Sequence, residues 1–173
     1  MASPSAKILV LAEGSSACVR IVGRANFTYG PDLKTLLAAL AQKGYSHFII
    51  DLSECALMDS TLLGILAGFG LKMAQNAANE AAVELLNTNS RITELLENLG
   101  ALNLFKLANG TLPVTGNAQA EAPASVNPTR EQITRTCLEA HQSLIAMNPG
   151  NAARFKDVTR FLAEDLNHQQ KQP

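Results

Sequence analysis

The residues with the clearest capacity for chemistry lie in "LSECALMDSTLLG", 52–64, where one apolar run has just ended and another opens with Asp59-Ser60-Thr61. Ser, Thr and Asp favour helix N-caps because their side-chain oxygens accept hydrogen bonds from the unpaired N–H groups of the first turn. The same place also offers a hydroxyl for covalent modification. A phosphoryl group on Ser60 would bring a charge of about −1.5 to −2, which its own helix tolerates through the exposed N–H groups and the dipole. A protein pressed against that helix start would instead meet a desolvated dianion beside Asp59 and be repelled unless an Arg or Lys answered it.

Other reactive side chains form no set. Glu54 and Asp59 flank Cys55 to Met58 as an acid/base pair would, but no nucleophile, base and orienting group accompany them, so no catalytic residue is expected. His47, His141 and His168 are scattered, with no i, i+4 pair beside a carboxylate, and are read as packing or surface residues rather than metal ligands. Cys18, Cys55 and Cys137 are odd in number and without CxxC spacing, which fits reduced, buried thiols. Neither GxGxxG nor GxxxxGK[ST] follows a strand, and GxSxG is absent, so no cofactor is expected. Gly64, Gly68 and Gly70 lie inside an apolar segment and suggest close packing of helix backbone on a sheet.

The chain has 173 residues, 47% hydrophobic and 17% charged, enough for one core with an appendage. A formal net charge of −1 and the lack of any dense Lys/Arg run disfavour nucleic acid as a partner. The start carries one Lys before a short apolar run that stops at Glu13, unlike a secretion signal, so a cytoplasmic protein is expected. The apolar run from Leu62 to Leu71 falls short of the roughly 20 residues that cross a bilayer, despite its GxxxG spacing. No membrane span is expected.

These residues need positioning elements. "KILVLAEG" and "ACVRIVGRANF" are β-branched apolar segments around Gly14-Ser15-Ser16, a strand pair at one side of a sheet. "DLKTLLAALAQKG" spaces Leu33, Leu36, Leu37 and Leu40 as an amphipathic helix with Gly44 as its stop. "HFIIDLS" reads as a strand covered on both faces, the segment from Asp59 to Ala74 as a helix, and "AAVELLNTN" as a further strand. "SRITELLENLG" opens with Ser90, has Glu94 close behind, and places Ile92, Leu95, Leu96 and Leu99 on one face. Strands alternating with helices give an α/β class, with a mixed, mostly parallel sheet.

The segment 110–128 gathers Gly, Pro, Asn, Ala and Ser without periodicity, a linker between a domain at 1–109 and an extension at 129–173. The extension reads as a helical hairpin, with stripes of Ile133, Cys137, Leu138, His141, Leu144 and of Phe155, Val158, Phe161, Leu162, Leu166 about Asn148-Pro149-Gly150. Such a hairpin cannot bury its own apolar faces, so it should dock on the core, on a partner or on a second copy of the chain, giving a homodimer.

With this order of elements, "IIDLSECALMDSTLLGILAG" resembles the STAS family, the sulfate transporter and anti-sigma factor antagonist domains. In the antagonist branch a strand ending in Asp-Leu-Ser leads to Met-Asp-Ser and an apolar, Gly-containing helix. Here those positions are Asp51-Leu52-Ser53, Met58-Asp59-Ser60 and Leu63-Gly64, and the resemblance covers about residues 6–108. It implies Ser60 as phosphoacceptor and a partner surface at Asn26, Phe27, Asp59, Thr61 and Leu62. It also implies a bacterial regulator that, when unmodified, binds a serine kinase or anti-sigma factor of the histidine-kinase-like ATPase fold, with a phosphatase to reset it. The alternative is a structural or transport-accessory STAS subunit in which Ser60 is only a cap. Asn26 stands where many antagonists have Asp, and Thr61-Leu62 replaces the commoner Ser-Gly, making the loop less acidic and the helix start bulkier.

Overall fold

Apolar, partly β-branched segments build the first two strands, β1 (Lys7–Glu13) and β2 (Ser16–Ala25), which pair antiparallel across the turn at Gly14 as expected. The computed structural model describes residues 6–76, 83–111, 120–121 and 128–171. The chain continues through α1 (Gly30–Gln42), β3 (His47–Asp51), β4 (Cys55–Met58), α2 (Ser60–Asn76), β5 (Val83–Leu86), α3 (Ser90–Asn98), β6 (Lys106–Ala108), β7 (Ala120–Glu121), α4 (Arg130–Met147) and α5 (Asn151–Lys171). The sheet order is β6-β5-β3-β2-β1-β7, with β2, β3, β5 and β6 parallel and β4 paired with the far end of β2. This is the mixed, mostly parallel α/β sheet flanked by helices.

One face of the sheet holds the main core. Ala17, Val19, Ile21, Phe48, Ile50 and Leu85 meet Leu33 and Leu37 of α1 and Leu62, Leu63 and Leu66 of α2. The next residues along the strands, Cys18, Ile49 and Leu86, form a smaller cluster with Leu11, as the two-residue period of a strand requires. Burying a large apolar side chain contributes about 1.5–3 kcal/mol, so the first cluster dominates stability. Gly44 ends α1 with φ of 97°, a conformation that other residues adopt at a cost.

Two short strands escape the sequence reading. β4 lies in the segment Cys55–Met58, to which the sequence reading assigned no element, and β7 lies inside the expected linker, beside β1. The rest of that linker, 112–119 and 122–127, falls outside the described residues. The cap of α3 also differs: Asn89, not Ser90, accepts the first-turn bond, from Ile92 N at 2.9 Å, because the helix begins one residue earlier than a Ser90 cap would need.

α4 and α5 form the helical hairpin, and it packs on its own chain: α4 lies along α2 and touches α1. Thr129 and Gln132 close a capping box at its start. Ala140, Leu144 and Phe155 join the main core, but Phe161 is 59% exposed and Val158 40% exposed. The stripe on α5 therefore does not dock along its whole length, because the helix runs on beyond the surface that receives Phe155. At the hairpin turn the buried Asn151 amide donates to Leu99 O at 3.0 Å and Leu144 O at 2.9 Å, tying the turn to the end of α3.

Gly64 and Gly68 of α2 serve this contact and not, as expected, the sheet, whereas a Cβ at Gly70 would meet Leu104 and Phe105. A Cβ at Gly64 would lie 2.4 Å from the Ala140 carbonyl oxygen, and one at Gly68 would lie 2.8 Å from Ser143 Oγ. Gly in a helix interior costs up to about 1 kcal/mol against Ala, so α2 gives up intrinsic stability to admit α4. Gly64→Ala recovers that amount but overpacks against backbone, which costs about 1–3 kcal/mol or more. The variant should be destabilised by about 1–2 kcal/mol, seen as a lower urea midpoint. A raised midpoint would show that α4 does not rest on α2.

Candidate functional site

The loop leading to Ser60 is ordered by charge. Arg20 Nε donates to Asp51 Oδ2 at 2.8 Å, Asp51 Oδ1 accepts from Ser53 N at 3.1 Å, and Arg20 also reaches Glu54 at 3.7 Å. Asp51 is buried, so its pairing is what makes the carboxylate tolerable inside. The Asp-Leu-Ser triplet thus turns the chain out of β3 and into β4. Glu54 faces Arg20 and forms no acid/base pair with Asp59.

β4 lays its end beside β2, and Asp59 N donates to Ala25 O at 3.3 Å. This brings Asn26 and Phe27, just past β2, next to the start of α2. Asn26 is exposed, and its Oδ1 accepts from Thr28 N at 3.0 Å and Thr28 Oγ1 at 2.6 Å, capping the short turn Phe27–Tyr29. Phe27 is 46% exposed. An apolar ring held in solvent beside a helix start is a feature that contact with another protein would bury.

Asp59, not Ser60, caps α2: its Oδ1 accepts from Leu62 N at 3.0 Å. This corrects the reading of Ser60 as a cap. The half-buried Ser60 hydroxyl points elsewhere, 3.0 Å from Nε2 of His141 on α4. His141 Nδ1 lies 2.7 Å from the Cys137 carbonyl, which can only accept. In the tautomer these contacts select, the proton lies on Nδ1 and Ser60 donates to Nε2. His141 is 5% exposed and stands edge-on to Phe155, with centroids 4.8 Å apart.

Two expected surface residues are not at the surface. Thr61 is buried beneath α4, its Oγ1 donating to Cys137 Sγ at 3.7 Å, and Leu62 is wholly buried in the main core. The helix turns Leu62 toward the sheet, and the hairpin covers Thr61. Asn26, Phe27 and Asp59 remain accessible in whole or part. His141 was read as a packing residue; nothing in the spacing of the sequence joins it to a serine 81 positions away.

All three thiols are free and buried. Burial, then the charge of Asp51, pushes Cys18 up to about 11, and burial also raises Cys55 and Cys137. Such thiols stay protonated and unreactive near neutrality. A cleft of about 440 Å³ lies between α1, α2 and α4, floored by Leu37, Ile65, Phe69 and Met73. Neither Ser60 nor His141 lines it. Among the described residues no helix is long and apolar enough to cross a membrane.

A family-wide sequence profile, that of the STAS domain, matches residues 8–111. No curated protein sequence matches the chain. Among solved structures, an anti-sigma factor antagonist from Mycobacterium paratuberculosis is similar at 21% identity, covering 62% of this chain and 88% of that one, with a TM-score of 0.51. The Bacillus cell fate determinant SpoIIAA in its phosphorylated form is similar at 14% identity, over 62% of this chain and 92% of that one, with a TM-score of 0.51. SpoIIAA in its unphosphorylated form gives 14% identity, 60% and 88% coverage and a TM-score of 0.53. At these identities the likeness is one of fold.

Proposed function

The chain belongs to the STAS domain family, and from that premise we propose that it is a protein-binding regulator switched by phosphorylation of Ser60. The observation that carries this reading is the division of labour at the start of α2. Asp59 does the capping, and the adjacent serine hydroxyl is left outside it. An anion there is favoured by the helix dipole, so the fold accepts the modification that a bound protein would not. The likeness to SpoIIAA, solved both phosphorylated and unphosphorylated, supports the same direction.

In this account the unmodified chain binds a serine kinase or anti-sigma factor of the histidine-kinase-like ATPase fold through Asn26, Phe27 and Asp59, and a phosphatase resets it. Transfer joins the γ-phosphoryl group of ATP to Ser60 Oγ as the bond to ADP breaks, and the hydroxyl proton is released. The protein acts in the bacterial cytoplasm by binding and not by catalysis. Its units are a STAS domain at 1–109, a linker at 110–128 and an extension at 129–173. The accessory-subunit reading drew on Ser60 as a cap, a task that Asp59 performs.

Incubation with ATP and a cytoplasmic extract of the source cell, followed by phosphopeptide mapping, should place the label on Ser60, with Thr61 as the minor site. Label on Ser53 or Ser90 with none on Ser60 or Thr61 would overturn the assignment.

A further inference from the structure

The C-terminal hairpin lies on the residue that the proposed switch would modify. Ser60 donates to His141, Thr61 donates to Cys137, and both acceptors belong to α4. α4 also touches the turn Phe27–Tyr29, and Lys34 of α1 pairs with Glu139. Gly64 and Gly68 let the two helix backbones approach, so the docked position is built into α2 itself.

A 3.0 Å gap between Ser60 Oγ and His141 Nε2 holds one hydrogen and no phosphoryl group. If Oγ turned to another rotamer, the bond to Nε2 would break, leaving an acceptor in a ring 5% exposed without its donor. A buried polar atom in that state opposes docking. The phosphoryl charge would also stand beside Asp59, whose carboxylate is fixed at the helix start by Leu62 N.

We propose that α4 and α5 form an intramolecular lid over Ser60, docked while the serine is free and lifted when it is phosphorylated. The inference rests on the reading of Ser60 as the modified residue and adds how that site is regulated. Lid, partner and phosphoryl group compete for one face, so each disfavours the others by linkage. A kinase reaches Ser60 only in the fraction of molecules whose lid is open, and a partner that stabilises the open form raises that fraction.

Hydrogen exchange on the full chain tests this, with phosphoserine installed at position 60 during synthesis so that the result is independent of any cellular kinase. In the unmodified protein the amides of α4 should be protected. With phosphoserine they should exchange at least tenfold faster, while β2, β3 and β5 keep their protection, and phosphatase treatment of the same sample should restore α4. Unchanged α4 protection overturns the lid. Loss of protection in the sheet as well as in α4 also overturns it, because the effect would then be global unfolding. Failure to find label on Ser60 in the extract experiment, with α4 still released by installed phosphoserine, would remove the proposed function and leave the lid's mechanics standing.

Discussion

A chain ending near Asn109 should lose about 1–2 kcal/mol of net stability, or its solubility, relative to the full protein. The hairpin contributes Ala140, Leu144 and Phe155 to the main core, with Ile145 and Met147 packed against it. At about 1.5–3 kcal/mol for each large buried apolar side chain, the two largest of these alone represent about 3–6 kcal/mol of burial, most of it offset by the entropy of ordering two helices against the domain. A domain's whole stability is about 5–15 kcal/mol. Truncation also uncovers Ile65 and the two helix glycines that α4 shelters. Urea denaturation and light scattering check this: a lower midpoint or aggregation is expected. An unchanged midpoint and mass would make the hairpin a free appendage.

Phosphorylation should weaken partner binding by tens to hundreds of times. A desolvated dianion against a bound surface costs several kcal/mol, and 3–4 kcal/mol corresponds to roughly a few hundredfold in affinity. The lid narrows that ratio, because the unmodified protein must open to bind whereas the phosphoprotein is open already. A lid open about one-tenth of the time weakens binding to the free serine about tenfold. A difference of at least about tenfold therefore remains. Gly64→Ala, which disturbs the seat of α4, should bind the partner more tightly than the wild type.

The sequence made legible what depends on local periodicity. Leu33, Leu37 and Leu40 recur at helical spacing, and all three are buried in α1. Phe48, Ile49 and Ile50 form a continuous run, as a strand covered on both faces must, and all are buried. What escaped depends on contacts distant in sequence. Cys55–Met58 is too short to show alternation, and it becomes a strand only because the end of β2 offers an unpaired edge. Asp59, Ser60 and Thr61 are all competent caps, so composition could not choose among them; β4 decides by setting where α2 begins. The stripe on α5 gave a face but not its extent, so Phe161 was counted with Phe155. The tie from His141 to Ser60 exists only after two helices have packed through glycines whose partner the sequence does not name.

The most direct test of Ser60 as the switch uses two baits, the full chain with serine and the full chain with phosphoserine at position 60, in a cytoplasmic extract of the source cell. The captured protein of histidine-kinase-like ATPase fold is then purified and titrated against each bait by calorimetry. Capture by the unmodified chain, with affinity for the phosphorylated chain at least about tenfold weaker, is the predicted result. Equal affinity for both chains would contradict it.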